Sequence, residues 1–384
     1  MTIEQGFPKE LLEMSVVERI SYFERFVISH PFIQRTFDDL WETMSNNGSY
    51  SILYVFGPTG VGKTTLYKKI IGELNKKEQI NIASNKSIIP FLGTRAIASE
   101  SGNFDWKDFY LRTLEKMNEP LIGKKVLLTT EDKLRYGAYH NDNSTKAYRK
   151  SIESALKYRR TAFFLIDEAQ HFTKISTGKK LLNQMDVIKS LAAETDTLII
   201  LFGTYGLQKF FNLSDQLSRR GHEFHFPRYR YDNKNELEIF ENVLWTFQCH
   251  LPLAKEINLI NYLDFFYERS LGCIGILKDW VDRTFRKNLF SGKEELTIDD
   301  FYKTALSVNQ CLTIAEEIIN GENEQKDSDT RRGELLNKIG MDTVIDEQGN
   351  TEGKQTNDNK KKKNKRVGER NPKRDKVGVE KYAQ

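Results

Sequence analysis

An α/β protein is predicted: a parallel sheet covered by helices, then a smaller all-helical region, then a polar basic end. Three observations predict it. Short apolar runs recur at 52–56, 88–93, 162–166 and 197–203, with longer segments between them and a further strand candidate at 222–226. After about Tyr231 these runs stop, and apolar residues fall at helical spacing instead. Beyond roughly Gly321 the chain turns to Glu, Asp, Asn, Lys and Gly with few aromatics, a composition that cannot bury a core. The expected divisions are an N-terminal helical segment (1–48), an α/β core (49–230), a helical subdomain (231–320) and a disordered basic tail (321–384).

In the first segment Ile20, Phe23, Phe26 and Val27 form one helical stripe, and Phe37, Leu40, Trp41 and Met44 form another. Asn46-Asn47-Gly48-Ser49 breaks the pattern before the first strand. A helix over 148–160, with Tyr148, Ile152, Ala155 and Leu156 on one face, leads into the strand at 162–166. Strands alternating with helices imply parallel βα units, helices on both faces of the sheet. In the helical region Leu237, Phe240, Leu244 and Phe247 mark one helix, and Ile276, Leu277, Trp280 and Val281 another. Thr297-Ile298-Asp299-Asp300 caps a third.

A chain of 384 residues with 39% hydrophobic and 11% aromatic residues can build a sizeable core, while a mean hydropathy of −0.57 leaves much of it solvated. The net charge of +4 (58 − 54) does not itself imply nucleic acid, so any basic surface must be local. Cys249, Cys273 and Cys311 are far apart and lack metal-ligand spacing, which fits a reducing compartment. No apolar stretch approaches the ~20 residues of a membrane span, and the polar start lacks a signal-peptide pattern. A cytoplasmic protein without membrane contact is expected.

Gly57-Pro58-Thr59-Gly60-Val61-Gly62-Lys63-Thr64 reads G-x-x-x-x-G-K-T directly after an apolar strand. In that setting the glycines let successive backbone N–H groups face phosphate oxygens, and a helix beginning near Lys63 adds its positive end. Lys63 is expected to reach the β/γ-phosphates and Thr64 to hold Mg²⁺, with Thr65 beside it. Phe163-Phe164-Leu165-Ile166-Asp167-Glu168 ends a second apolar run in two acids. Beside such a loop, Asp167 would serve Mg²⁺ through its water shell and Glu168 would polarise an attacking water. ATP and Mg²⁺ are therefore the expected ligands, and ATP hydrolysis the expected reaction. A strand candidate between the two motifs points to the AAA+ branch of P-loop ATPases. Thr204, at the end of the 197–203 run, is a candidate to contact the γ-phosphate or the water. Arg219 and Arg220, at a predicted helix end, either complement the helix dipole or offer a guanidinium to a neighbouring subunit's γ-phosphate, with Arg219 preferred.

Leu201-Phe202-Gly203-Thr204, Gln216-Leu217-Ser218-Arg219-Arg220, Gly272-Cys273-Ile274-Gly275-Ile276-Leu277 and Ile166-Asp167-Glu168-Ala169-Gln170-His171 together resemble the TnsC/TniB group of AAA+ transposition regulators, over roughly residues 20–310. The resemblance implies a bacterial ATPase that forms rings or helical filaments on double-stranded DNA. It also implies that the oligomer links a target selector, a sequence-specific DNA-binding protein or a CRISPR effector, to transposase subunits. Family position nominates Arg95, Lys107, Thr145 and Lys146 for DNA phosphates. It places His30 and Pro31 on the adenine side. Gly275 and Ile276 stand where many AAA+ proteins carry a lid arginine, and Lys278 is the candidate substitute. The other classes in play are an origin-recognition or clamp-loader type ATPase and a signalling STAND-type ATPase without DNA. A winged helix after the lid, expected of the former, does not suit the polar 321–384 stretch, and the long repeat domains of the latter find no counterpart. The tail, with ten basic residues from Lys360 to Lys376, reads as a solvated end, a DNA-binding arm, or a tether ending in a docking cluster of Val377, Val379 and Tyr382.

Overall fold

The computed structural model describes residues 6–46, 50–99, 102–124, 145–174, 178–208, 221–325 and 329–341. Among them are five strands: β1 (Ile52–Phe56), β2 (Phe91–Arg95), β3 (Phe163–Asp167), β4 (Leu198–Gly203) and β5 (Gly221–His225). They form one sheet in the order β2-β3-β4-β1-β5, every neighbouring pair parallel. All-parallel strands are joined by crossovers that cover both faces, so central strands read as unbroken apolar runs. β1 shows how. Ile52, Tyr54 and Phe56 face one layer with Phe164, Ile166, Ile199 and Leu201, while Leu53 and Val55 face the other with Leu165, Ile200 and Phe202.

The first layer is closed by α4 (Trp106–Lys116), α5 (Thr145–Tyr158) and α6 (Gly178–Thr195), through Phe109, Tyr110, Ile152, Leu156, Met185 and Ile188. The opposite layer is closed by α2 (Pro31–Ser45) and α3 (Lys63–Ser84), through Ile33, Leu40, Met44, Leu66, Ile70 and Leu74. The strand expected over 88–93 lies instead at Phe91–Arg95.

The helical region comprises α7 (Lys234–Cys249), α8 (Leu263–Ser270), α9 (Ile274–Phe290), α10 (Ile298–Tyr302) and α11 (Val308–Gln325). Its core gathers Phe240, Phe247, Phe266, Trp280, Phe285 and Phe301. The N-terminal segment does not stay together as a separate unit. Its first helix, α1 (Val16–Arg25), sends Ile20 and Phe23 into this helical core, whereas α2 belongs to the sheet. The buried Arg19 ties α1 down by donating twice to the Pro252 carbonyl, at 3.0 and 2.6 Å.

Gly321 does not mark the end of ordered helix, as the composition suggested. α11 continues to Gln325 and returns to the sheet: Ile318 joins the core with Val61 and Phe226, and Gly321 lies against the Tyr205 ring. The Arg228 guanidinium closes the contact on Glu322 at 2.8 and 3.3 Å. Residues up to Gln325 form one compact unit; the chain beyond forms a second, in which α12 (Asp329–Ile339) is described. No helix among the described residues is long and apolar enough to cross a membrane. The tail from 342 onward, with its basic run and Val377, Val379 and Tyr382, lies outside the described residues.

Candidate nucleotide site

The loop 57–62 leaves the C-terminal edge of β1 and passes straight into α3, whose first residue is Lys63. Gly62 caps that helix with φ 109°, a left-handed conformation costly to any residue with a Cβ. Thr64 and Thr65 stand in the first turn, at the positive end of the dipole. The Lys63 ammonium folds back onto the loop, donating to the carbonyls of Gly57 (2.9 Å) and Pro58 (2.6 Å). It forms no ion pair among the described residues, and burial pushes its pKa down to about 8.

Asp167 ends β3 next to this helix. It is buried, accepts from the Thr64 hydroxyl at 3.1 Å and from the Glu168 N–H at 3.0 Å, and burial raises its pKa above the ordinary carboxylate value. Two groups of opposite sign, half-buried Lys63 and buried Asp167, thus both have their charged forms penalised. That is the condition of a site shaped for a polyanion and a divalent cation, and Thr64 and Asp167 supply the hard oxygens Mg²⁺ takes. The residues fit the pair of ligands.

Glu168 sits in the left-handed region, φ 56° and ψ 33°, and so turns its side chain off the strand axis. One carboxylate oxygen lies 3.6 Å from the Arg95 guanidinium; the other accepts from the Gln170 amide at 2.5 Å. Arg95 closes β2, and sheet register sets it opposite Asp167. The same Gln170 accepts the Thr204 N–H at 3.3 Å. The Thr204 hydroxyl takes the Gly206 N–H at 3.4 Å, capping the turn that follows β4.

The helical region meets the loop directly. The Gly275 N–H, in the first turn of α9, donates to the Gly60 carbonyl at 2.5 Å, and the Ile276 side chain lies over Gly60. Lys278, the candidate substitute for a lid arginine, does not join them in this structure. Its ammonium donates to the Phe23 carbonyl and lies 3.2 Å from the Phe23 ring centroid, held by α1 away from the phosphate loop.

His30 is buried at the start of α2, immediately before Pro31. Its Nδ1 shares a hydrogen bond of 2.8 Å with the Tyr229 hydroxyl, and its ring stacks on Phe226, whose own ring lies 3.8 Å from where a Cβ on Gly62 would stand. Burial, aided by the charge of Lys69, lowers its pKa to about 4. A histidine depressed in the fold stabilises the protein above its ordinary value of 6.5, and that stability is lost as pH falls through 4. Unfolding free energy should therefore drop by up to roughly 3 kcal/mol more in the wild type than in His30→Gln between pH 7 and pH 4. Parallel acid limbs in urea unfolding would contradict this.

The DNA candidates divide into two places. Arg95 stands at the Asp167–Glu168 pair. Lys107 is in the first turn of α4 and its ammonium lies 5.9 Å from the Tyr148 ring centroid, which brings it beside the exposed Thr145 and Lys146 at the start of α5. Arg219 and Arg220 lie outside the described residues. Gln170, Phe226 and Tyr229 were not singled out from the sequence as site residues. Gln170 lies within the Ile166–His171 run, but nothing local tells which of its neighbours the amide meets.

The phosphate loop, the paired acids at the end of a neighbouring strand and the parallel sheet between them define a P-loop AAA+ fold and an ATPase. More narrowly, residues 46–211 match the family model of the AAA domain. No curated protein matches the chain. Among solved structures it is similar to the ORC2 protein of Aeropyrum pernix (15% identity, 76% of this chain and 72% of that one, TM-score 0.47). It is also similar to a Walker-type ATPase of Pyrococcus abyssi (17%, 76% and 74%, TM-score 0.42). Likeness at that level assigns neither substrate partner nor assembly.

Proposed function

We propose that the protein is an ATP-dependent regulator of DNA transposition, of the TnsC/TniB type, that assembles on duplex DNA and links a target selector to the transposase. The motifs at Leu201–Thr204, 216–220 and 272–277 carry the resemblance; the pairing of Arg95 with Glu168 supports the DNA part most directly. A guanidinium 68% exposed at the surface, yet touching the acid beside the phosphate loop, gives a DNA phosphate a physical route to the hydrolytic centre. A phosphate that takes Arg95 releases one oxygen of Glu168.

In this reading ATP lies along the loop, its phosphates on the 57–62 N–H groups and the end of α3. Lys63 leaves the Gly57 and Pro58 carbonyls for the β- and γ-phosphates. Thr64 and Asp167 would hold Mg²⁺, which would supply neutralisation of phosphate charge. Glu168 takes a proton from the attacking water as it adds to the γ-phosphate, and Arg219 of a second copy steadies the developing charge. The ATP state grips DNA and hydrolysis releases it, so the enzyme acts as a timer.

Phosphate contacts without base readout make affinity steeply salt-dependent and nearly sequence-blind. With a non-hydrolysable ATP analogue, replacing Arg95, Lys107 and Lys146 by alanine should flatten the plot of log affinity against log salt by about 0.9 per phosphate contact removed. Fluorescence anisotropy on two unrelated duplexes reads this. An unchanged slope removes these residues from the interface.

A further inference from the structure

We infer that Gln170 is a positioning residue for hydrolysis, holding the Glu168 carboxylate in one orientation and fixing it to the end of β4. The inference rests on the reading of Glu168 as the group that activates water. It comes from two hydrogen bonds made by opposite ends of one side chain. The Gln170 Nε2 donates to Glu168 Oε2 at 2.5 Å, and Oε1 accepts the Thr204 N–H at 3.3 Å. A carboxylate can only accept and an N–H can only donate, so the partners leave the amide a single orientation. The short helical turn Ala169–Thr173, closed by the His171 N–H on the Glu168 carbonyl at 3.0 Å, carries Gln170 back over Glu168. The far side is shaped to match: a Cβ on Gly203 would come within 2.6 Å of Gln170 Oε1.

The consequence is mechanical. Glu168 has left-handed backbone angles and a side chain with several rotamers, and its other oxygen is only 3.6 Å from a mostly exposed arginine. Among the described residues its other side-chain contact is the ion pair with the mostly exposed Arg95, so Gln170 is the tie that fixes the carboxylate to β4. Misplacing a proton acceptor by about 1 Å can cost on the order of 100-fold in rate while leaving substrate binding intact. The bond to the Thr204 N–H gives the carboxylate a fixed distance from β4, the strand whose end faces the phosphate loop. Gln170 therefore acts on the chemical step through Glu168 and has no role in holding the nucleotide.

The test compares full-length Gln170→Met, Gln170→Glu, Glu168→Gln and the Glu168→Gln/Gln170→Met double variant. Phosphate release gives kcat and KM, and a fluorescent ATP analogue gives Kd. Methionine keeps the length and loses both bonds; its kcat should fall at least about 10-fold with KM and Kd within roughly 3-fold of wild type. Glutamate keeps the acceptor for Thr204 but sets a carboxylate against a carboxylate, and should fall as far or further. The double variant should be no slower than Glu168→Gln alone, since residues acting as a unit are not additive. Wild-type kcat in Gln170→Met, with Glu168→Gln inactive, overturns the inference. So does a loss of Kd and Tm in step with kcat, which marks a structural role. Hydrolysis at the wild-type rate in Glu168→Gln overturns the underlying reading of Glu168 instead.

Discussion

Replacing Lys63 by methionine should abolish ATP binding at micromolar nucleotide while leaving the free protein folded. Among the described residues the ammonium donates to the Gly57 and Pro58 carbonyls, and burial lowers its pKa to about 8, so the protein gains little from the charge when no anion is present. A triphosphate changes that balance. Charge-assisted hydrogen bonds contribute about 1.5–3 kcal/mol each, and two of them correspond to at least a 100-fold change in affinity. Methionine fills the stem's volume without the charge, so Tm without nucleotide should hold or rise. Isothermal titration and thermal unfolding separate the two effects. Unchanged ATP affinity would remove the loop from the site, and a collapsed Tm would mean that Lys63 is structural.

Glu168→Gln should bind ATP normally and hydrolyse it about 10²–10⁴ times more slowly, the range that loss of a positioned proton acceptor covers. Glutamine preserves size and can still hydrogen-bond, so nucleotide contacts through Lys63 and Thr64 remain. What disappears is the capacity to take a proton. The variant should also accumulate the ATP-bound form, which makes it the natural trap for any assembly that ATP favours. Steady-state phosphate release against nucleotide Kd measures the split; equal losses in both would place Glu168 in binding.

Much of this was legible because the informative signals were local. β1, β3 and β4 are buried on both faces and read as apolar runs, and the phosphate loop is contiguous, so strand, loop and helix were each marked by adjacent residues. β2 came out three residues late: Ile88 and Ile89 supply the hydrophobicity, but Pro90 precedes the strand and its carbonyl takes the Ala162 N–H, while polar Thr94 and Arg95 complete the ladder. α6 was passed over, although Leu181, Met185, Ile188 and Ala192 lie at helical spacing. Past Gly321 polar composition hid a helix held by a few specific contacts, Ile318 in the core and Glu322 on Arg228.

The side-chain pairings at the site are hidden for another reason. Lys278 lies on the expected helix, but its direction is set by Phe23, 255 residues earlier in the chain. Gln170 depends on Thr204, 34 residues later. Neither pairing is written in a local pattern, because which face of a helix or turn meets which neighbour is decided only when the layers close.

The central claim is that nucleotide state governs grip on a double helix, and sedimentation velocity of the full-length protein with duplex DNA tests it most directly. With a non-hydrolysable ATP analogue, or with ATP in Glu168→Gln, protein and DNA should travel together as a species several subunits in mass, and ADP should disperse it. A protein that sediments as a monomer apart from the DNA in every nucleotide would contradict the account.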